Sequence, residues 1–226
     1  PALFVYNTLK TCCFMALPSV ISLLILKSEM EEYTYKTIKN PSEGLFKDKG
    51  SKFLAFAYPV ISEDEVKMHL NELRKEHHSA RHHCWAYKID GLSRSSDDGE
   101  PTNSAGKPIL GQIEAFSVTN VAIIVVRYFG GVLLGVGGLM QAYKEAAKRA
   151  LQNAEIVEKE YMCGFSLLFS YEQNSVVMNV LKRNKAEIIS QDFSEACSFR
   201  CRVSREKSQQ CISALENICK VVIENE

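Results

Sequence analysis

Residues 121–126 form an unbroken apolar run, Val-Ala-Ile-Ile-Val-Val, which ends abruptly at Arg127 and is followed by Tyr128, Phe129 and paired glycines. A short continuous run rich in β-branched residues reads as a strand at the centre of a sheet, buried on both faces. An arginine at its exit is the first charge the chain meets there. The glycines that follow permit close backbone approach before a helix predicted over 138–153.

The surrounding pattern supplies the rest of such a sheet. Residues 52–60 and 84–89 read as further strands, and 34–38 alternates like an edge strand. Ser62 with Glu65 three residues on has the form of a capping box. Val66, Leu70 and Leu73 give the helix behind it an apolar stripe that should end near His77. Residues 90–106 read as a polar loop, and Pro108 fits the first turn of a short helix anchored by Ile109, Leu110, Ile113 and Phe116.

After Lys159 the pattern restarts as β-α-β-β-α-β, the ferredoxin-like split βαβ order. Cys163, Phe165, Leu167 and Phe169 alternate inward on its first strand. A helix over 172–184 is expected to bury Val176, Val177, Val180 and Leu181, and a second strand covers 185–191. On the third strand Cys197, Phe199, Cys201 and Val203 point inward, leaving Arg200 and Arg202 outward as a face for RNA or a partner. A helix over 205–217 buries Cys211, Ile212 and Leu215, and 220–223 closes the sheet. The expectation is an α+β protein with a domain over 30–156 and a ferredoxin-like domain over 160–226.

Residues 1–29 have a different character. The nearly charge-free stretch 12–26 is shorter than a bilayer span and is interrupted by Pro18. Met30 opens a composition typical of a soluble start. These residues are therefore expected to lie outside the fold, which makes the protein cytoplasmic, with no membrane association if the chain starts at Met30. None of the eight cysteines forms a C-x-x-C pair. They read as reduced, packed thiols, and no metal or cofactor is expected.

Charge narrows the partners. Lys plus Arg equals Asp plus Glu at 27 each, so no strongly basic domain marks a dedicated nucleic-acid binder, though a local basic patch is compatible with the balance.

Three clusters can carry function. His77, His78, His82 and His83 sit where a helix yields to a strand. In a helix His78 and His82 would have zinc-ligand spacing, whereas on a strand His82 and His83 face opposite sides, one to the core and one to a cleft. Asp97, Asp98 and Glu100 place three carboxylates on one loop. Such a loop is either a solvated acidic turn or a site for something cationic, Arg127 included. Arg127, Tyr128, Gly130 and Gly131 lead to Gly135, Gly137 and Gly138, where N–H groups at a helix start attract anions, unless the glycines serve only tight turning. The simplest arrangement gathers His82, His83, Asp97, Asp98, Glu100 and Arg127 into one concave cleft.

The stretches Ala80-Arg81-His82-His83-Cys84-Trp85-Ala86-Tyr87, Ser96-Asp97-Asp98-Gly99-Glu100-Pro101, Ala105-Gly106-Lys107-Pro108-Ile109-Leu110 and Val125-Val126-Arg127-Tyr128-Phe129-Gly130-Gly131-Val132-Leu133-Leu134-Gly135 together resemble the IMPACT family, and more closely its bacterial YigZ-like branch. The resemblance covers residues 49–151. It implies an N-terminal domain with the fold shared by a ribosomal protein domain and elongation factor G domain IV, and a C-terminal domain similar to elongation factor G domain V. It also implies regulation of translation, as in eukaryotic members, which compete for an activator of a starvation kinase and carry an RWD domain that has no counterpart here. The expected function is a translation-associated factor, not an enzyme, that touches RNA, the ribosome or a protein. The alternatives are a phosphorylated-ligand-binding protein or enzyme using the acidic loop and glycine turn, and a pure protein-interaction module. The metal-ligand set of a proline dipeptidase is not recognisable in this sequence.

Overall fold

A computed structural model describes residues 33–194 and 196–224. The expectations for residues 1–29 lie outside the described residues.

The described chain is α+β and holds three sheets. The largest has the order β2-β3-β6-β4-β5, with β2 Ser42–Asp48, β3 Ser51–Pro59, β4 His82–Ile89, β5 Leu92–Ser96 and β6 Val121–Tyr128. All its neighbours run antiparallel. The apolar run is indeed central, and residues 121–126 are each 0% exposed.

Cover on the two sides comes from different helices. On one face Ile123 and Val125 join Phe53, Ala55, Cys84 and Ala86 under α2, Gly106–Ala115, and α3, Gly135–Asn153. On the other face Ala122 and Ile124 meet Val66, Leu70 and Leu73 of α1, Glu63–Glu76, through Phe56, Tyr58, Tyr87 and Trp85. Ser62 caps α1 by accepting from the Glu65 N–H at 3.3 Å, and the Glu65 carboxylate accepts from the Ile61 N–H at 2.8 Å. Helix α3 starts a turn earlier than the sequence predicts, at Gly135.

Strand β1, Thr34–Ile38, pairs antiparallel with β7, Ile156–Glu160, as a two-stranded sheet. The third sheet has the order β11-β8-β10-β9, built from β8 Met162–Phe169, β9 Glu187–Phe193, β10 Cys197–Ser204 and β11 Lys220–Ile223. This antiparallel 4-1-3-2 order, with helices α4 Asn174–Arg183 and α5 Arg205–Glu216 on one side, is the ferredoxin-like arrangement. Helix α4 buries Val177 and Leu181, but Val176 is 48% exposed, contrary to expectation. A single turn of 3-10 helix over Tyr171–Gln173 precedes α4, and Val177 and Leu181, four residues apart, form its buried stripe with Val176 off to the side. Strand β9 lies two residues later than predicted. Among the described residues no helix is long and apolar enough to cross a membrane. The cysteines described form no disulfide, and burial raises the Cys201 and Cys211 thiols to about 12 and about 11.

Candidate functional site

The sheet places Arg127 in register with Phe53 on β3 and His82 on β4. Side chains alternate along a strand. Arg127, His82 and Cys84 therefore share the α2/α3 face, while Tyr128 and His83 share the α1 face. The loop after β5 crosses the sheet end between them and delivers one carboxylate to each of three places.

Glu100 goes under α3. Its Oε1 lies 2.5 Å from Nη1 of Arg127 and accepts from the Tyr143 hydroxyl at 2.8 Å. Both charged side chains are buried, 7% exposed for Arg127 and 3% for Glu100. The guanidinium carbon lies 5.5 Å from the Phe53 ring centre and 5.6 Å from that of Phe129, so two rings supplement the carboxylate. The Tyr143 oxygen in turn sits 3.3 Å from Cys84 Sγ. Burial above all, then the neighbouring Cys84 and Glu100, raises the Tyr143 phenol well above its ordinary range. Burial likewise raises the Cys84 thiol. Both stay protonated.

Asp97 goes to the start of α2. One carboxylate oxygen accepts from the N–H groups of Ala105 and Gly106 at 2.9 and 2.8 Å, the other from Asn103 at 2.8 Å. Burial alone would raise this carboxyl, but the three backbone donors and Lys107 outweigh burial and hold it below its usual value. Asp98 goes to the α1 side. It accepts from the His83 N–H at 2.8 Å and from Arg74 at 3.0 Å, and its own carbonyl meets His82 Nδ1 at 2.9 Å. His77 Nδ1 lies 2.9 Å from the Tyr128 hydroxyl.

The residues singled out in sequence thus lie around one end of the sheet, on two faces and not in a single concave pocket. His83 is buried and His82 half-buried, as alternation requires. His78 lies past the end of α1 and His82 opens β4, so they do not share a helical face. Among the described residues no group of three His, Cys, Asp or Glu could hold a metal. Gly130 is packed against the β2–β3 turn. A Cβ there would stand 1.9 Å from the Gly50 carbonyl carbon and 2.2 Å from the Ser51 nitrogen. Gly131 lies open beyond it, and Gly135, Gly137 and Gly138 form the first turn of α3. Gly137 borders a depression of about 500 Å³ together with Lys107 and Lys144. In the ferredoxin-like sheet Arg200 and Arg202 do point outward, but they are held to Glu224 at 3.1 Å and Glu187 at 2.7 Å.

Sequence reasoning missed Arg74, Tyr143 and the two rings around Arg127. Tyr143 carried the only available signal, a large polar aromatic among Ala142, Ala146 and Ala147 on the buried stripe of its helix.

The Impact N-terminal domain family matches residues 49–151, the segment that builds the large sheet from β3 onward with α1 to α3. The chain is 34% identical over 164 residues to the Escherichia coli IMPACT family member YigZ, covering 70% of this chain and 80% of YigZ. The chain belongs to the IMPACT family. Rabbit Protein IMPACT is 40% identical to this IMPACT-family chain over 96 residues, which cover 39% of this chain and 30% of the rabbit protein. A crystal structure of a hypothetical protein superimposes with a TM-score of 0.69 at 27% identity, covering 87% of this chain and all of the other. The likeness to YigZ thus covers 70% of this chain and that to the solved structure 87%, whereas the rabbit likeness covers 39%.

The polar groups of this IMPACT-family site give an acid-sensitive stability. His83 has its proton affinity lowered, chiefly by burial and further by Arg74 and His77, against an opposing pull from Asp98. A lowered histidine contributes stability above its unfolded value of 6.5 that is lost as pH falls toward the folded value. Asp97, also lowered, contributes stability above its unfolded value of 3.8 that is lost below it. Urea midpoints measured against pH should decline in two stages, the first beginning just below pH 6.5 and removed by His83→Gln. Asp97→Ala should remove the second stage and cost about 1–2 kcal/mol at neutral pH, as helix-cap losses do.

Proposed function

We propose that this chain is a translation-associated factor that acts by binding RNA, the ribosome or a translation protein, and makes or breaks no covalent bond. The observation that supports binding is the engagement of all three carboxylates of the family signature. Asp97 is taken by three backbone donors, Asp98 by Arg74 and the His83 N–H, and Glu100 by Arg127 and Tyr143. General acids, bases and nucleophiles need a proton affinity matched to their task and an unengaged atom to present. The buried Cys84 and Tyr143 have proton affinities pushed away from that range.

What the signature supports instead is a rigid rim. Beside it Phe129, Val132, Leu133, Val136 and Met140 are exposed, at 57%, 51%, 83%, 52% and 45%. Large side chains exposed together at one end of a domain are characteristic of interaction surfaces. Kinship with Protein IMPACT directs the proposal to translation.

The test is co-sedimentation of the full chain with purified ribosomes through a sucrose cushion. Association is expected at low salt and should weaken as salt rises. No association at any salt would overturn the proposal.

A further inference from the structure

We infer that a depression on the α1 face of the large sheet, beside the glycine turn, is a site for single-stranded RNA, with a phosphate on Lys47 and Lys52 and a base against Phe129. This rests on the translation reading above and names the surface that would carry it.

The depression encloses about 480 Å³ and is lined by Leu45, Lys47, Lys52, Leu54, Tyr128 and Phe129, together with Gly50. Its floor is made by two rows across three strands. Leu45, Leu54 and Val126 stand in register, and next to them Lys47, Lys52 and Tyr128. Lysines directly opposite on antiparallel strands repel, a destabilising pairing. Among the described residues neither lysine is in an ion pair, unlike Arg200 and Arg202, and no carboxylate lines the depression. An anion between the two ammonium groups would relieve that repulsion.

The anion has an aromatic neighbour. Phe129 is 57% exposed yet held in place, with the Arg127 guanidinium 5.6 Å from its ring centre and Gly130, the next residue, locked against the β2–β3 turn. Tyr128 is fixed by its hydroxyl to His77. Immobilised aromatic surface beside unpaired cations is the chemistry that binds single strands, because every base has a face to stack and every linkage a phosphate.

Fluorescence anisotropy of labelled oligouridylate with the full chain tests this. Phe129→Ala should weaken binding about ten-fold or more, whereas Phe129→Trp should bind within a few-fold of the unaltered chain. Lys47→Gln combined with Lys52→Gln should reduce the slope of log affinity against log salt by about 0.7, the loss of one phosphate contact. Arg200→Gln with Arg202→Gln should leave that slope nearly unchanged. Thermal melts confirm that each variant folds. Equal binding by the Phe129→Ala and double-lysine variants overturns the site, as does tighter binding of the same-sequence DNA, or no binding of the oligonucleotide by the unaltered chain. Ribosome co-sedimentation is read in parallel. If it survives both sets of changes, the site fails while the proposed function stands. If the unaltered chain never sediments with ribosomes, the broader reading fails.

Discussion

Glu100→Gln is expected to lower the stability of the fold by about 3–5 kcal/mol, because it strands a buried guanidinium. For a chain of this size that corresponds to a fall in melting temperature of roughly 6–20 °C. Arg127 has 7% of its side chain exposed, and its Nε already lacks a hydrogen-bond partner. A guanidinium cannot neutralise itself by losing a proton. The reverse change, Arg127→Met, leaves a carboxylate that still accepts from Tyr143 and can take up a proton. Its cost should therefore be smaller and should shrink at acid pH, while that of Glu100→Gln should not. Urea denaturation of both variants across pH checks the asymmetry. Equal, pH-independent costs would show that the pair is more hydrated than its burial indicates.

Gly130→Ala should be the most damaging single methyl group in the molecule. The new carbon would fall 1.9 Å from Gly50 backbone and 2.2 Å from that of Ser51, so no side-chain rotation can relieve the clash. Either the β2–β3 turn or the end of β6 must move. Overpacking of this kind costs upward of about 3 kcal/mol, at or beyond the top of the usual range. Gly137→Ala, with nothing within 4 Å of its Cβ position, should be tolerated. Soluble yield and melting temperature of the two variants separate them. A Gly130→Ala protein as stable as the parent would mean that the turn yields freely.

Much of this fold can be read from side-chain pattern, and the exceptions have a common cause. Residues 121–126, the alternating Cys197, Phe199, Cys201 and Val203, and the α1 stripe are all legible because their apolar side chains do the packing. Strands β2, β5 and β7 are not. In β2 the fully buried position is Gly44, against which the backbone of α3 lies closely, and Phe46 on the same face is only partly buried, so little apolar alternation is left to read. Strand β5 is nearly all exposed and is held by backbone pairing with β4, and β7 likewise by pairing with β1. Backbone hydrogen bonds leave little trace in composition. The site follows the same rule. Which residues gather at the sheet end is visible in the sequence, but which carboxylate goes where is not. Asp97, Asp98 and Glu100 are near neighbours in the chain, and the positive φ of Asp98 and Gly99 turns the loop so that they part to different elements.

On the proposed function, the signature's buried charges build a rim and binding takes place on the exposed surface that the rim supports. Glu100→Gln combined with Arg127→Met removes both charges while leaving Tyr143 an acceptor. Replacing both partners of a buried pair is often neutral or stabilising, so this variant should recover most of the stability lost by Glu100→Gln alone. The decisive measurement is ribosome co-sedimentation of this double variant beside the unaltered chain, with urea denaturation of both. Near-parental stability and retained association are the expected result. Recovered stability with lost association would contradict it, because the Glu100–Arg127 pair would then be part of what is recognised.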